Sequence, residues 1–335
     1  MSLIGTLQIS SNALFAQQVG LQVVANNIAN ANTPGYIKQR AVFTPAPTQL
    51  IRGLTLGLGV EVDAIIQNVD RFLQDRLRAA NSDLANSETQ ERAYLELEVI
   101  VGELSETDLS TSLTNFFGAI HDVVNQPGNV SIRRLAVLEG ATLTNDIRRL
   151  DGRIGELRTG LNRQVFNAAD DINRLTDEIA KLNVQIVIVE SEESRASEAV
   201  GLRDQRGVAL EQLASIAGIR SVEQATGAVN VFVGGDFLVL SGDRRLVEGS
   251  HTIVDGNQIA TVNILSTDAP LAVSTGKLAG LYAARDEIFG DFQTELQSLT
   301  EALIFEFNKV FSSGQGMTGF DWDFPFGLCL EPLQT

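Results

Sequence analysis

A single cysteine, Cys329, occurs in the 335-residue chain, which rules out a disulfide within it. The two histidines, His121 and His251, lie far from each other and from Cys329 in sequence, so no metal-ligand spacing exists and no metal or cofactor is expected. Basic residues are scarce too. Against 42 Asp and Glu stand 25 Lys and Arg, and the net charge of −17 excludes the clustered positive charge that nucleic acid or an anionic membrane surface requires. The sharpest absence is local: between Met1 and Ile37 there is no Asp, Glu, Lys, Arg or His.

That uncharged stretch has a pattern. Leu7, Leu14, Leu21 and Ile28 recur every seventh residue, with Ile4, Ser11, Gln18 and Ala25 in the complementary positions. A seven-residue repeat is the seam of a helix that wraps around another helix. Coiled coils in free solution flank the seam with Glu and Lys, but here the flanks are Ser, Asn, Gln, Ala and Gly. The segment is therefore expected to be enclosed by neighbours, as one of many similar helices. Three plainer readings compete. A secretory signal needs basic residues ahead of an apolar core of about 7–15 residues, and Gln8, Ser10, Ser11, Asn12, Gln17 and Gln18 interrupt any such core. A membrane span needs about 20 mainly apolar residues, whereas the longest apolar run is Ala13-Leu14-Phe15-Ala16. The third, an amphipathic helix packed inside its own domain, stays open on this pattern alone.

The first helix is predicted from about Leu3 to Ala31, ending at Asn32-Thr33-Pro34-Gly35. Pro34 pushes Thr33 to extended geometry and Gly35 supplies a positive φ. From Tyr36 to about Asp63, Phe43, Pro45, Pro47 and the Gly53/Gly57/Gly59 series predict a loop-rich β excursion. Helical periodicity returns at Ile65 and runs through Val69, Leu73, Leu77 and Leu84 to Leu95, Leu97, Val101 and Leu104. A shorter helix, Leu109 to Val124, stops at Pro127-Gly128. From Ile147 to Val189 the apolar residues step by three and four, with a four-residue stutter from Leu157 to Val165. Such a helix would span about 60 Å, although Gly152, Gly155 and Gly160 each weaken it by about 1 kcal/mol relative to Ala. Another helix follows from about Ser194 to Ile216.

From Ile219 to Val273 the period drops to two. Val229, Val231 and Val233 alternate with Asn230 and Phe232, Gly234-Gly235-Asp236 turns into Phe237–Leu240, and Asp255-Gly256 is a hairpin turn. An inserted antiparallel sheet of three to five strands is expected. A last helix, about Gly276 to Phe311, precedes a tail in which Phe320, Trp322, Phe324 and Phe326 mix with Pro and Gly without helical period.

The segment Leu21 to Tyr36, with Ala25, Asn27, Ile28, Ala29, Asn30, Thr33, Gly35 and Tyr36 in register, resembles the N-terminal signature of the flagellar rod, hook and hook-associated protein family. Asn26, Asn27 and Asn30 carry donors and acceptors without charge and are expected to bond to neighbouring subunits. Thr33, Pro34, Gly35 and Tyr36 fix the exit from the helix. Downstream, Ile66 to Ala80, Leu109 to Gly118 with Pro127 and Arg134, and Leu202 to Leu213 resemble the hook-associated branch of that family. Rod and hook proteins leave for β structure soon after the first motif, and flagellin lacks the Asn-Thr-Pro-Gly-Tyr element. The family would pair its N-terminal helix with a C-terminal helix, so a chain ending at Thr335 looks C-terminally truncated.

The resemblance implies a structural subunit of the bacterial flagellum at the hook–filament junction, extracellular and exported by the type III apparatus without a cleavable signal peptide. Its implied partners are other copies of itself, the hook protein, the next hook–filament junction protein and an export chaperone, with no nucleic acid and no membrane insertion. The assembly residues expected are Leu7, Leu14, Leu21, Ile28, Asn26, Asn27, Asn30, Thr33, Pro34, Gly35 and Tyr36. The expected fold is mainly α: an elongated bundle of long helices with a small inserted antiparallel β region and an N-terminal heptad helix that extends from the bundle. Its parts are a 1–35 assembly helix, a 36–64 β excursion, a 65–218 long-helix bundle, a 219–275 β subdomain, a 276–312 helix returning to the bundle, and a 313–335 irregular tail.

Two alternatives remain at this stage: a soluble helical-bundle binding module, and another flagellar axial protein of hook or rod type. An enzyme is not expected. Asp170-Asp171, Glu192-Glu193 and Asp204 sit in charge-rich helical text that reads as solvated face, the Gly-rich stretches lack phosphate-loop spacing, and Arg203, Asp204 and Arg206 read as a structural salt-bridge cluster.

Overall fold

The computed structural model describes residues 3–51, 54–102, 108–191, 199–254 and 257–314. Seven α-helices are present among them: α1 (Leu3–Ala29), α2 (Arg71–Val101), α3 (Leu109–Asn125), α4 (Val130–Ser191), α5 (Val200–Ala217), α6 (Gly276–Ala283) and α7 (Phe289–Ser313). Between α1 and α2 lie β1 (Gln39–Pro45), β2 (Gln49–Ile51), β3 (Leu54–Leu56) and β4 (Val60–Gln67). Between α5 and α6 lie β5 (Ile219–Glu223), β6 (Val229–Val233), β7 (Asp236–Leu240), β8 (Asp243–Arg244), β9 (Val247–Val254), β10 (Asn257–Ile264) and β11 (Ala269–Pro270). The fold is mainly α, with long helices and small antiparallel sheets. The expected single sheet is two, ordered β5-β6-β7-β8 and β11-β10-β9, and the N-terminal β excursion is a pair of hairpins, β1-β4 and β2-β3. Gly53, Leu104, the Asp255-Gly256 turn, Glu192-Glu193, the start of the helix expected from Ser194, and the tail from residue 315 lie outside the described residues.

Helix α4 is longer than its apolar period announced. It begins at Val130 rather than near Ile147 and runs for 62 residues, passing Gly152, Gly155 and Gly160 without ending. In the first turns Val130, Leu135, Val137 and Leu138 are exposed, which hides the one-sided stripe that marks the rest. From Ile154 through Leu161, Val165, Ile172, Leu175 and Ile179 to Ile186 the expected row is buried. The helical reading that began at Ile65 started too early. Ile65 and Ile66 pair in β4 with Ala41 and Arg40 of β1, and α2 begins only after Asp70, whose Oδ1 accepts the Leu73 N–H at 3.1 Å. That is the side-chain cap a helix N-terminus requires. The expected last helix is continuous from Gly276 to Ser313 through a π-helical turn, Ala284–Ile288, in which Arg285 is buried.

Contacts divide the chain into two compact units, each assembled from segments distant in sequence. One comprises Met1–Ala85, Ala168–Glu248 and Asn263–Gly276; the other comprises Asn86–Asn167, Gly249–Val262 and Lys277–Thr335. In the second, Phe116, Leu143, Ile147 and Leu296 form a core against which Leu109, Leu113, Ile120, Phe292 and Phe307 pack.

Asparagines tie α4 to strand edges in both units. In the first, Asn183 Nδ2 donates to Val229 O at 2.7 Å and Asn183 Oδ1 accepts Val229 N–H at 3.0 Å. Asn173 brackets Val247 in the same way, at 2.6 and 3.0 Å. In the second, Asn162 takes Gln258 O at 2.6 Å and Ala260 N–H at 3.1 Å. A side-chain amide has one donor end and one acceptor end, so it can meet a strand's N–H and C=O groups together as another strand would.

Candidate assembly surface

Helix α1 carries the uncharged seam, and its leucine row is exposed among the described residues. Leu7, Leu14, Leu21 and Ile28 are 73, 72, 71 and 72% exposed. The opposite face does the packing within the chain. Ala16 and Val23 are 1 and 5% exposed, and with half-buried Ile9 and Asn30 they form a second seven-residue series. Two positions along a helix turn it by about 200°, so the 9/16/23/30 series faces opposite the 7/14/21/28 series. Sequence reasoning followed the large residues and missed this row of smaller ones, whose signal was the same period.

What covers the second row is the β1–β4 hairpin. Asn12 Nδ2 donates to Leu58 O at 2.9 Å, and a Cβ placed on Gly20 would touch the Phe43 ring at 3.4 Å. Asn27 brackets Gln39, donating from Nδ2 to Gln39 O at 2.8 Å and accepting its N–H on Oδ1 at 2.9 Å. The Tyr36 hydroxyl donates to the same Oδ1 at 2.9 Å. Two members of the expected contact set, Asn27 and Tyr36, thus already bond each other inside the chain.

The other polar members close the helix end. Asn30 Nδ2 donates to Asn26 O at 3.0 Å, and Thr33 Oγ1 donates to Asn30 Oδ1 at 3.3 Å. Tyr36 N–H returns to Thr33 O at 3.2 Å, closing a turn with Pro34 and Gly35 at its centre. Gly35 has φ +79°, the conformation a type II turn demands after a leading proline, and Val208 leaves no room for a Cβ there. Asn26, Thr33 and Pro34 are exposed.

The charged residues singled out from the sequence separate into different roles. Arg203 donates to Glu190 at 2.7 and 2.9 Å and to Glu223 at 2.6 Å. The Glu190 hydrogen bonds hold its guanidinium in the charged form, well above the usual arginine range. Arg206 is buried and donates to Asn183 Oδ1 and Gly227 O; burial pushes its pKa down to about 10. Asp204 stands apart from this cluster. Its Oδ1 accepts Ile37 N–H at 3.3 Å and Gln67 Nε2 at 2.6 Å, and burial raises its carboxyl above the ordinary value. Asp170 and Asp171 lie exposed, with Asp171 paired to Arg174 at 3.2 Å.

These features define a mainly helical protein whose first helix exposes an uncharged apolar row. Comparison with known proteins gives it a family. Residues 94–324 match the flagellar hook-associated protein FlgK helical domain, and residues 7–36 match the flagella basal body rod protein model. Flagellar hook-associated protein 1 of Salmonella typhimurium is 26% identical over 316 residues, covering 92% of this chain and 56% of the relative. The Bacillus subtilis protein of the same name is 26% identical, covering 91 and 66% respectively. The flagellar hook junction protein FlgK from Burkholderia pseudomallei superposes with a TM-score of 0.57 at 25% identity, covering 67% of this chain and 41% of that one.

The chain belongs to the flagellar hook-associated protein FlgK family, whose helical domain it carries. It spans a little over half the length of the Salmonella relative.

Proposed function

We propose that the chain is a structural subunit of the bacterial flagellum at the junction of hook and filament. It works by packing, with copies of itself, the hook protein and the next junction protein as neighbours, and it acts outside the cell after export without signal cleavage. The observation that carries this reading is the Leu7/Leu14/Leu21/Ile28 row, exposed along a helix with no charge while the opposite face is engaged by β1–β4. Full burial of one leucine is worth about 1.5–3 kcal/mol, so the row holds a sizeable drive toward association. Asn26, Thr33 and Pro34, exposed at the end of that helix, extend the contact with uncharged polar groups.

The test is Leu21→Asp in cells whose own junction protein has been deleted. An unpaired carboxylate carried into a packed wall is costly, so filaments should fail to form while the purified variant keeps the helical circular dichroism of the parent chain. Normal filaments from the variant would refute the packing role of this row.

A further inference from the structure

The N-terminal arm, residues 3–67, is pinned internally by Asn27 on Gln39 and Asn12 on Leu58. Its junction with the rest of its unit is open. A cleft of about 950 Å³ lies there, walled by Ile37 and Ile65 on the arm and by Val187, Val200 and Leu210 opposite. The chain leaves the arm at one short connection, Asn68–Asp70, outside helix or strand.

One carboxylate spans this opening. Asp204 of α5 takes both the Ile37 N–H and the Gln67 side-chain amide on a single oxygen, and Gln67 also donates to Val200 O at 3.3 Å. The arginines around the cleft are bound elsewhere: Arg71 to Glu223 at 2.6 Å, Arg78 to Asp75 at 3.0 Å, Arg203 to Glu190 and Glu223, and Arg206 to Asn183 and Gly227. The hydrogen-bond donors to Asp204 described here both belong to the arm.

From this we infer that Asp204 is a latch. The arm turns as one body about the Asn68–Asp70 connection, the cleft provides the room, and the Asp204 hydrogen bonds set the docked position. The inference concerns the isolated chain and stands or falls independently of the assembly role.

Paired spin labels at Gln18→Cys on α1 and Glu178→Cys on α4, in a Cys329→Ser background, read the arm position by electron–electron distance measurement. The unmodified Asp204 chain and Asp204→Asn, which keeps an acceptor oxygen, should give one narrow distance distribution. Asp204→Ala and Gln67→Ala should each raise the displaced population on the order of 5- to 10-fold, with helical circular dichroism unchanged. The latch is overturned by an Asp204→Ala distribution as narrow as the parent's, or by a parent distribution already as broad as the variant's. Loss of helicity in Asp204→Ala combined with a narrow Gln67→Ala distribution would also overturn it, since Asp204 would then serve the packing of α5.

Discussion

Asn27 grips Gln39 by its N–H and its C=O together, at 2.9 and 2.8 Å, and takes the Tyr36 hydroxyl on the same oxygen that receives the N–H. A residue of the motif expected to face other subunits therefore sets the first residue of β1 against the end of α1. Of the residues expected to face other subunits, Asn26, Thr33, Pro34 and the leucine row are the exposed ones.

Asn27→Leu keeps the size of the side chain and removes all three hydrogen bonds. Leaving a half-buried donor and acceptor unmet costs about 1–3 kcal/mol. The expected outcome is hydrogen exchange at the Gln39 amide faster by roughly tenfold or more, with the Val229 amide unaffected. Equal protection of Gln39 in both chains would show that the hairpin is held by its apolar contacts instead.

Asn183→Leu should be harsher, because Asn183 is fully buried and one of its donors is the Arg206 guanidinium. The substitution strips a partner from a buried cation and from Val229 N–H at once. A loss of roughly 3 kcal/mol or more in urea unfolding is expected, above the ~1–3 kcal/mol of a single neutral group. A loss below 1 kcal/mol would mean that Arg206 finds other acceptors.

Gly35→Ala meets two obstacles, φ +79° and the Val208 side chain. Backbone placed in a region that L-residues avoid costs on the order of 1–3 kcal/mol. A fall in melting temperature should appear together with faster exchange at Tyr36 and Ile37. An unchanged melting curve would show that the turn can shift off Val208.

Asp204 gives a pH dependence of definite sign. Burial raises its folded pKa above the ordinary aspartate value, so the stability linked to its protonation is fully present in acid and is lost as pH rises through the folded pKa. Asp204→Asn does not titrate. Its stability relative to the parent should therefore increase from pH 3 to pH 7, most steeply between the ordinary aspartate value and the raised folded one. A difference that is flat with pH, or that favours the parent at neutral pH, would show that the Ile37 and Gln67 hydrogen bonds outweigh the cost of burial.

Much of the fold was legible from local pattern. The α4 row from Ile154 to Ile186, α3 up to Pro127, the alternation of Val229, Val231 and Val233, and the α1 leucine row are periodicities that a helix or strand expresses wherever it lies. The errors fell where distant residues decided. Ile65 and Ile66 suit a helix as well as a strand, and their pairing with Ala41 and Arg40 settled the matter. The first turns of α4 showed no stripe because their apolar residues point outward.

The sequence alone determined that α1 is an uncharged helix with a seven-residue apolar row, since composition and period are properties of the segment itself. Only the tertiary structure decided which of its two rows is used within the chain. Only the tertiary structure, too, gave Asn27, Asn173, Asn183 and Asp204 their partners, which for Asp204 and Gln67 lie 137 residues apart. An amide or carboxylate of this kind can bond to almost any polar neighbour. Its partner is chosen by the fold that brings one strand edge or one arm within 3 Å of it, and no local pattern records that choice.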